Sequence, residues 1–364
     1  MNTSAPAPND EKFSVEVVPN DRLEDWDSFV DTSPQNNPYS KSFWLLAFSK
    51  GCPNCDFRVI SLKNKSGQIV AGIAFHTFKN QLGQSRIFTS GQYNSFIFSP
   101  DVRKDSNRAI SNRHEMAFRL ISELQSAEMT SISLVHHPSL SDIRPWMWNG
   151  WQTIPAYTFL NRTSDRDDGF TAAQRKQIRK AEGEEYMLEK SSNFSVTADL
   201  IVSMLEKTYL RQGLNIHRID PQLGPVKNYI SILKSFCGRS DVICYSAKHP
   251  SKGIGAIRVG MAGSDGVFYD WLAGNDPDHF QFGCSSYLIS EIFKDLSSCG
   301  ITHFDFGGAN TPKIADFKQG FNGDLICGYR TIWQSRDPLH RAVKLCGYFA
   351  HLSSLALHRF RLRK

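Results

Sequence analysis

The same succession of local patterns runs twice along this chain: an antiparallel β region, then an amphipathic helix, then a strand. A chain ordered in this way has two apolar sheet faces to bury. Its 364 residues also exceed what one domain usually holds, because single cores stop growing at around 250–300 residues. An α/β architecture of two tandem modules, each a mixed sheet flanked by helices, is therefore expected. No residue-level repeat accompanies the pattern, so the duplication is one of element order only. Hydrophobic residues at 40% and charged residues at 21% give the balance of a packed globular protein.

Residues 1–12 are rich in Pro, Ser, Asn and Asp and are expected to be disordered. The first module, 13–152, reads as a strand at Phe13–Val18, helical patterns at Leu23–Val30 and Lys41–Lys50, and a hairpin of Phe57–Leu62 with Ile69–Phe78 about a turn at Asn64–Gly67. Extended chain at Arg86–Phe98, an amphipathic helix at His114–Glu128 and an alternating strand at Ser131–Val135 complete it. A tryptophan cluster, Trp146, Trp148 and Trp151, leads into the second module, 153–335.

The second module opens with a strand at Thr153–Leu160. Thr171, with Gln174 three residues on, forms a capping box for a helix that ends near Gly183. Helices at Ala198–Arg211 and Pro225–Cys237, a strand at Val242–His249 and a hairpin of Gly253–Met261 with Gly266–Ala273 follow. Helical spacing returns at Phe282–Gly300. A strand at Thr302–Phe306 breaks at Gly307-Gly308, Thr311 caps a short helix with Pro312 first and Gly320 after it, and Leu325–Trp333 is the last strand.

The net charge of +6 is local. Seven Lys/Arg and one Asp fall in Arg336–Lys364, which leaves 35 basic and 35 acidic residues elsewhere, so the body is neutral and DNA binding is not expected. On a helical projection of this tail, Leu345, Phe349, Leu352 and Phe360 share an arc opposite Arg341, Lys344 and His351. A basic amphipathic helix has two uses: peripheral contact with a membrane surface, or docking of its apolar arc on the second module. The start of the chain lacks the pattern of a signal peptide and no stretch has the roughly 18 apolar residues of a spanning helix, so a cytoplasmic protein is expected. The eight cysteines are scattered, several in apolar segments, and no disulfides are expected. Cys52 and Cys55 form a lone C-x-x-C without a second pair or a His at zinc spacing, and no metal is implied.

Four segments occur in the order found in one enzyme group. Ala172–Ala181 (AAQRKQIRKA) is a basic helix, Val267–Asn275 (VFYDWLAGN) a central hairpin strand, Ser286–Gly300 (SYLISEIFKDLSSCG) the next helix, and Phe304–Phe321 (FDFGGANTPKIADFKQGF) a strand, double glycine, short helix, lysine and aromatic. Together they resemble the FemAB-like acyltransferases of the cellulose-biosynthesis type, closely over Thr153–Ser335 and loosely before it. The resemblance implies tandem acetyltransferase (GNAT-like) folds and transfer of an acyl or aminoacyl group to an amine, usually on a cell-wall or surface-polysaccharide precursor. The donors it implies are acyl-CoA or aminoacyl-tRNA. No heptad stretch for a tRNA-binding helical hairpin is present, which favours acyl-CoA. One departure stands: His279–Cys284 (HFQFGC) does not fit the Gln/Arg-x-x-Gly-x-Gly/Ala turn with which acetyltransferases hold the CoA pyrophosphate. A non-catalytic protein that binds a precursor is thus a third reading. The acceptor expected is a small-molecule or lipid-linked sugar, met in the cytoplasm or at the inner membrane surface.

Amine attack on a thioester or ester carbonyl needs a proton acceptor and donors for the oxyanion. Alternation along Thr302–Phe306 puts His303 and Asp305 on one face, a base with its orienting group; the other reading has Asp305 satisfying the Gly-Gly turn and His303 exposed. Asp270, between Tyr269 and Trp271, is a second candidate base, and Asn275 ends the same strand. Lys318 matches the family's lysine and is implied to bind an anionic group, while Gly307 and Gly308 offer backbone N–H groups. Arg175, Lys176, Arg179 and Lys180 form i, i+4 pairs in a basic stripe that meets phosphates or is a solvated face. Tyr93 stands where the family's first module often places an aromatic that faces substrate; the other reading, and the commoner one for such a residue, is a strand tyrosine packed in the core.

Overall fold

The computed structural model describes residues 12–79, 84–100, 106–126, 129–164, 169–217 and 225–335. The expectations for residues 1–11 and for the basic tail 336–364 lie outside them. In the first half, β1 (Phe13–Val17), α1 (Leu23–Thr32), α2 (Ser42–Gly51), β2 (Cys55–Asn64), β3 (Ile69–Lys79), β4 (Ser85–Phe88), β5 (Phe96–Phe98), α3 (Asn107–Ser126), β6 (Met129–Val135) and α4 (Arg144–Trp148) follow one another. The second half comprises β7 (Gln152–Arg162), α5 (Ala172–Gly183), β8 (Met187–Ser191), α6 (Phe194–Arg211), α7 (Tyr229–Lys234), β9 (Val242–His249), β10 (Gly253–Ala262), β11 (Val267–Asn275), α8 (Cys284–Ser298), β12 (His303–Asp305), α9 (Pro312–Gln319) and β13 (Asp324–Gln334).

All of these strands join one 13-stranded mixed sheet, in the order β1-β2-β3-β4-β6-β13-β7-β12-β11-β10-β9-β8, with β5 on β3. Each half contains one parallel pair, β4 with β6 and β11 with β12. A parallel pair needs a crossover, and α3 and α8 provide it, which is the structural form of the helix-then-strand order in the sequence. The last strand, β13, lies between the halves. Its Arg330–Gln334 segment pairs with Val135–Ser131 of β6, and Asp324–Ile332 pairs with Leu160–Gln152 of β7. The sheets of the two modules are therefore continuous.

Among the described residues four apolar cores follow from this arrangement, one of them, around Trp26, Val30, Leu45 and Val59, lying between α1, α2 and the first strands. Ile73, Phe96, Leu120, Ile132 and Trp146 pack beneath α3. Ile178, Phe268, Phe293, Phe304 and Phe321 pack beneath α5 and α8. The fourth core crosses the halves, joining Tyr39, Trp44 and Phe48 of the first to Ile201, Leu205, Phe236 and Tyr269 of the second. At its centre Trp44 is fully buried, stacked on Phe236 at 5.9 Å and edge-on to Trp271 at 4.9 Å. Trp44→Ala is expected to lower stability by about 3–5 kcal/mol, the range for deleting a large buried aromatic, as read in a denaturant midpoint. A shift under about 1 kcal/mol would mean that the halves do not share this core.

Several elements differ from their sequence patterns for physical reasons. The helix α3 begins at Asn107, before His114; its buried positions, Met116, Ala117, Leu120, Ile121 and Leu124, lie in the C-terminal part, so hydrophobic spacing marks only that part. The stretch Arg86–Phe98 divides into β4 and β5 around a loop. The edge strand β8, with no fully buried residue, carries too little apolar pattern to be foreseen. Pro225–Cys237 is a 3-10 turn at Val226–Asn228 followed by the short α7. Thr171 caps α5 through its side chain, accepting from Gln174 N–H, whereas Thr311 at the start of α9 makes no side-chain cap bond. Among the described residues, no helix is long and apolar enough to cross a membrane.

Candidate active site

The parallel strands β11 and β12 pair over three positions only, Val267 with His303, Phe268 with Phe304 and Tyr269 with Asp305. Beyond them β11 runs on to Asn275 paired with β10, while the chain leaves Asp305 through Gly307 and Gly308, at φ of 59° and 33°. The sheet thus opens at Asp270 and Asp305 into a cavity of about 1710 Å³ walled by both halves of the chain. One arm follows the free edge of β11 from Asp270 to Asn275 and reaches the N-terminus of α8 at Gly283, Ser285 and Ser286. The other passes the loop Thr89–Tyr93 and lies over Ile154, Ala156 and Thr158 of β7 and Gly328 and Arg330 of β13.

Asp270 stands where the arms meet. It is buried, Arg258 Nη1 donates to its Oδ2, and its Oδ1 has no partner among the described residues. Burial pushes the Asp270 carboxyl above its ordinary range, against the opposing pull of Arg258 and Lys318. Gln92 of the first half reaches across, its Nε2 donating to the Asp270 carbonyl at 3.2 Å. Lys318 also lines the cavity; its ammonium donates to the Phe306 carbonyl at 2.7 Å, to Gly308 at 2.9 Å and to Gly307. Burial lowers the Lys318 amine to about 8, although Asp270 and Asp305 favour its charged form. The left-handed backbone at Gly307 favours glycine, and a side chain there would push aside the end of the Gln92 side chain.

Asp305 lies behind the cavity wall. Tyr93 OH donates to its Oδ2 at 2.6 Å, Thr158 Oγ1 to its Oδ1 at 2.5 Å and Gly307 N–H to its Oδ1 at 2.8 Å. These donors come from the first half, from β7 and from the glycine turn, so one buried carboxylate ties three walls together. Burial raises its pKa and the same donors oppose the rise.

The structure brings Asp270, Trp271, Asn275, Gly307, Gly308, Lys318 and Tyr93 to one cavity. Other candidates stand apart from it. His303 lies at the closed end of the β11–β12 pairing, where its Nδ1 bonds Thr302 Oγ1, and it is not part of the cavity wall. It does not orient Asp305. Tyr93 spends its hydroxyl on Asp305, and Tyr269 turns away to Asn36 and Asp265. Arg175 donates to the Phe170 carbonyl, Arg179 is exposed, and the cavity lining from α5 is Ala173, Gln174 and Gln177. Three contributors were not foreseen: Arg258, Thr158 and Gln92. An arginine inside the apolar run Gly253–Met261 is the one signal that the sequence carries for them.

At the far end of the first arm, Gly283 holds the αL position before α8, with φ 75°. A Cβ there would lie 2.3 Å from the Gln177 carbonyl. The preceding turn, Pro277–Phe282, is fixed by the buried His279, whose Nδ1 bonds Tyr186 OH at 2.5 Å and whose ring fills the space beside Gly255. One glycine and a packed histidine therefore shape a turn that acetyltransferases build with more glycines.

Residues 239–319 match the acetyltransferase (GNAT) domain family. The match spans β9 to α9 and includes Arg258, Asp270, Asp305 and Lys318, so it is the second half of the chain, around the cavity, that carries the GNAT-type domain pattern. Among solved structures it is similar to FemX, with a TM-score of 0.64 at 11% identity over 91% of this chain and 99% of that one. It is also similar to the C-terminal domain of a putative lysylphosphatidylglycerol synthetase from Agrobacterium fabrum (TM-score 0.53, 12% identity, 88% and 95% covered). A tandem GNAT protein from the clavulanic acid biosynthesis pathway gives a TM-score of 0.52 at 10% identity, with 88% and 98% covered. These likenesses are of fold, and the chain has a tandem GNAT-type fold. No curated protein matches it.

Proposed function

We propose that this chain moves an acyl group from acyl-CoA to an amine of an amino sugar or other envelope or polysaccharide precursor. The observation that carries the reading is the two-armed cavity opened by the parting of β11 and β12, with the unpartnered Oδ1 of Asp270 and the ammonium of Lys318 at its junction. The free edge of β11 offers backbone groups to an extended donor, and α8 ends that arm with its N-terminus, where an anion is favoured. The second arm takes the acceptor.

Asp270 Oδ1 accepts a proton from the acceptor's ammonium, and the neutral amine then attacks the thioester carbonyl. Lys318 places a fixed positive charge beside the developing oxyanion, since its three protons are held by the carbonyls of Phe306, Gly307 and Gly308. Asp270 releases that first proton to solvent through the open cavity and takes the second from the nitrogen of the tetrahedral intermediate; collapse then breaks the C–S bond, leaves the new C–N bond in the amide, and the thiolate departs as the thiol with the proton that Asp270 returns. Asp305 acts at one remove, as the positioning residue for Tyr93, Thr158 and the glycine turn.

Thermal-shift titration with acetyl-CoA, longer acyl-CoAs and free CoA tests the donor. Each is expected to raise Tm in the wild type, and Gly283→Ala is expected to weaken the effect at least about tenfold in concentration, because αL geometry and the Gln177 carbonyl both oppose a Cβ. No shift with any of them would turn the reading toward an aminoacyl-tRNA donor or a non-catalytic precursor-binding protein.

A further inference from the structure

The acceptor arm has a floor with an uneven distribution of size and charge. On the shared face of β7 and β13, Thr158, Ala156 and Ile154 stand opposite Ile326, Gly328 and Arg330 in register. Thr158 is anchored at the reacting end by its bond to Asp305. From there the floor is cut down to Ala156 and Gly328, and at Gly328 even a Cβ would come within 3.3 Å of the His136 carbonyl. Four residues along from Ile326 the floor ends at Arg330, with Val135 of β6 on its other side. Val135 is fastened to the substrate-side loop, its N–H donating to Asn94 Oδ1 at 2.7 Å.

Arg330 is exposed, lines the cavity and forms no ion pair among the described residues. Among the described residues, the cavity lining contains Arg211, Arg258, Lys313, Lys318 and Arg330 but a single carboxylate, Asp270, already paired with Arg258. A guanidinium at the end of a cleared floor presents a planar fork suited to a carboxylate or phosphate. Strand geometry sets its distance from the reacting end at roughly 13 Å, four residues at about 3.3 Å each.

We propose that the acceptor carries an anionic group, carboxylate or phosphate, on the order of 10–15 Å from its reacting amine, and that Arg330 binds that group. The proposal rests on the acyl-transfer reading for which end of the acceptor reacts, and it adds the acceptor's chemical class. On the acyl-transfer reading the donor's anionic end takes the N-terminus of α8, at Gly283, Ser285 and Ser286, and leaves Arg330 to the acceptor.

The test uses ω-amino acids from aminobutyrate to aminododecanoate, the matching ω-aminoalkylphosphonates, and aminoundecanamide as a neutral counterpart. Binding to the full chain is measured by calorimetry, and acetyl transfer by thiol release. Affinity is expected to peak near aminoundecanoate and to exceed that for the amide at least tenfold. Arg330→Ala is expected to erase that preference, and Arg330→Lys to restore part of it, with Tm unmoved because the side chain is exposed. Whether phosphonate or carboxylate binds more tightly identifies the group. Equal affinity for acid and amide, or a preference that survives in Arg330→Ala, overturns the proposal. CoA titrated into the same samples separates the two readings: CoA binding without an anion preference sinks this inference alone, whereas an anion preference without CoA binding sinks the acyl-CoA reading.

Discussion

Asp270→Asn is expected to lower kcat/KM for acyl transfer by about 10²–10⁴-fold, the usual contribution of a positioned general base, while CoA binding stays near wild type. The unpartnered Oδ1 of Asp270 faces the junction of the cavity arms, and an amide oxygen in its place accepts a hydrogen bond but not a proton. The variant also changes a buried pair. Removing one partner of such a pair costs about 3–5 kcal/mol when the other is left without an acceptor. Asn keeps an oxygen toward Arg258, so a smaller loss is expected, visible as a lowered Tm with unchanged circular dichroism. Because burial holds the carboxyl above its ordinary range, wild-type activity is expected to fall as pH drops through that raised value, and Asn removes this limb. Turnover at the wild-type rate would take the base away from Asp270.

Strongly periodic elements were legible in the sequence. β9 was read at Val242–His249, the residues it occupies, and α6, α8 and β11 lie within a few residues of their patterns. Much of the cavity was legible too, because Asp270, Trp271, Asn275, Gly307, Gly308 and Lys318 come from two short segments of one module. Residues that depend on pairing across the fold were not. Thr158 reaches Asp305 only because β7 lies beside β12 with Leu160 opposite Asp305, and Gln92 reaches Asp270 only because a loop of the first half turns toward the second. Alternation put His303 on the face of Asp305, yet two residues along a strand is about 6.6 Å, and the pairing with β11 opens at Asp305 and not at His303. Parity is a local property of a strand; the place where two strands part is not.

Lys318 gives the expectation with the clearest pH signature. Its amine is lowered to about 8 by burial, so the ammonium is present below that pH and lost above it. If its charge stabilises the oxyanion, the pH profile of kcat should carry a descending limb near 8. No other group assigned to the reaction produces one. The acceptor's amine and Asp270 both become more reactive as they lose protons, so their titrations raise the rate with pH. Lys318→Met is expected to lower kcat by about 10²–10³-fold, the scale of losing one oxyanion stabiliser, and to leave a profile that rises to a plateau. Lys318→Arg keeps a charge that does not titrate below about 12, so the descending limb should leave the measurable range in whatever activity the guanidinium supports. A structural role alone, holding Phe306, Gly307 and Gly308 by their carbonyls, would reduce activity in both variants without removing the limb. Persistence of a limb near 8 in either variant therefore assigns it to another group and withdraws Lys318 from the chemistry.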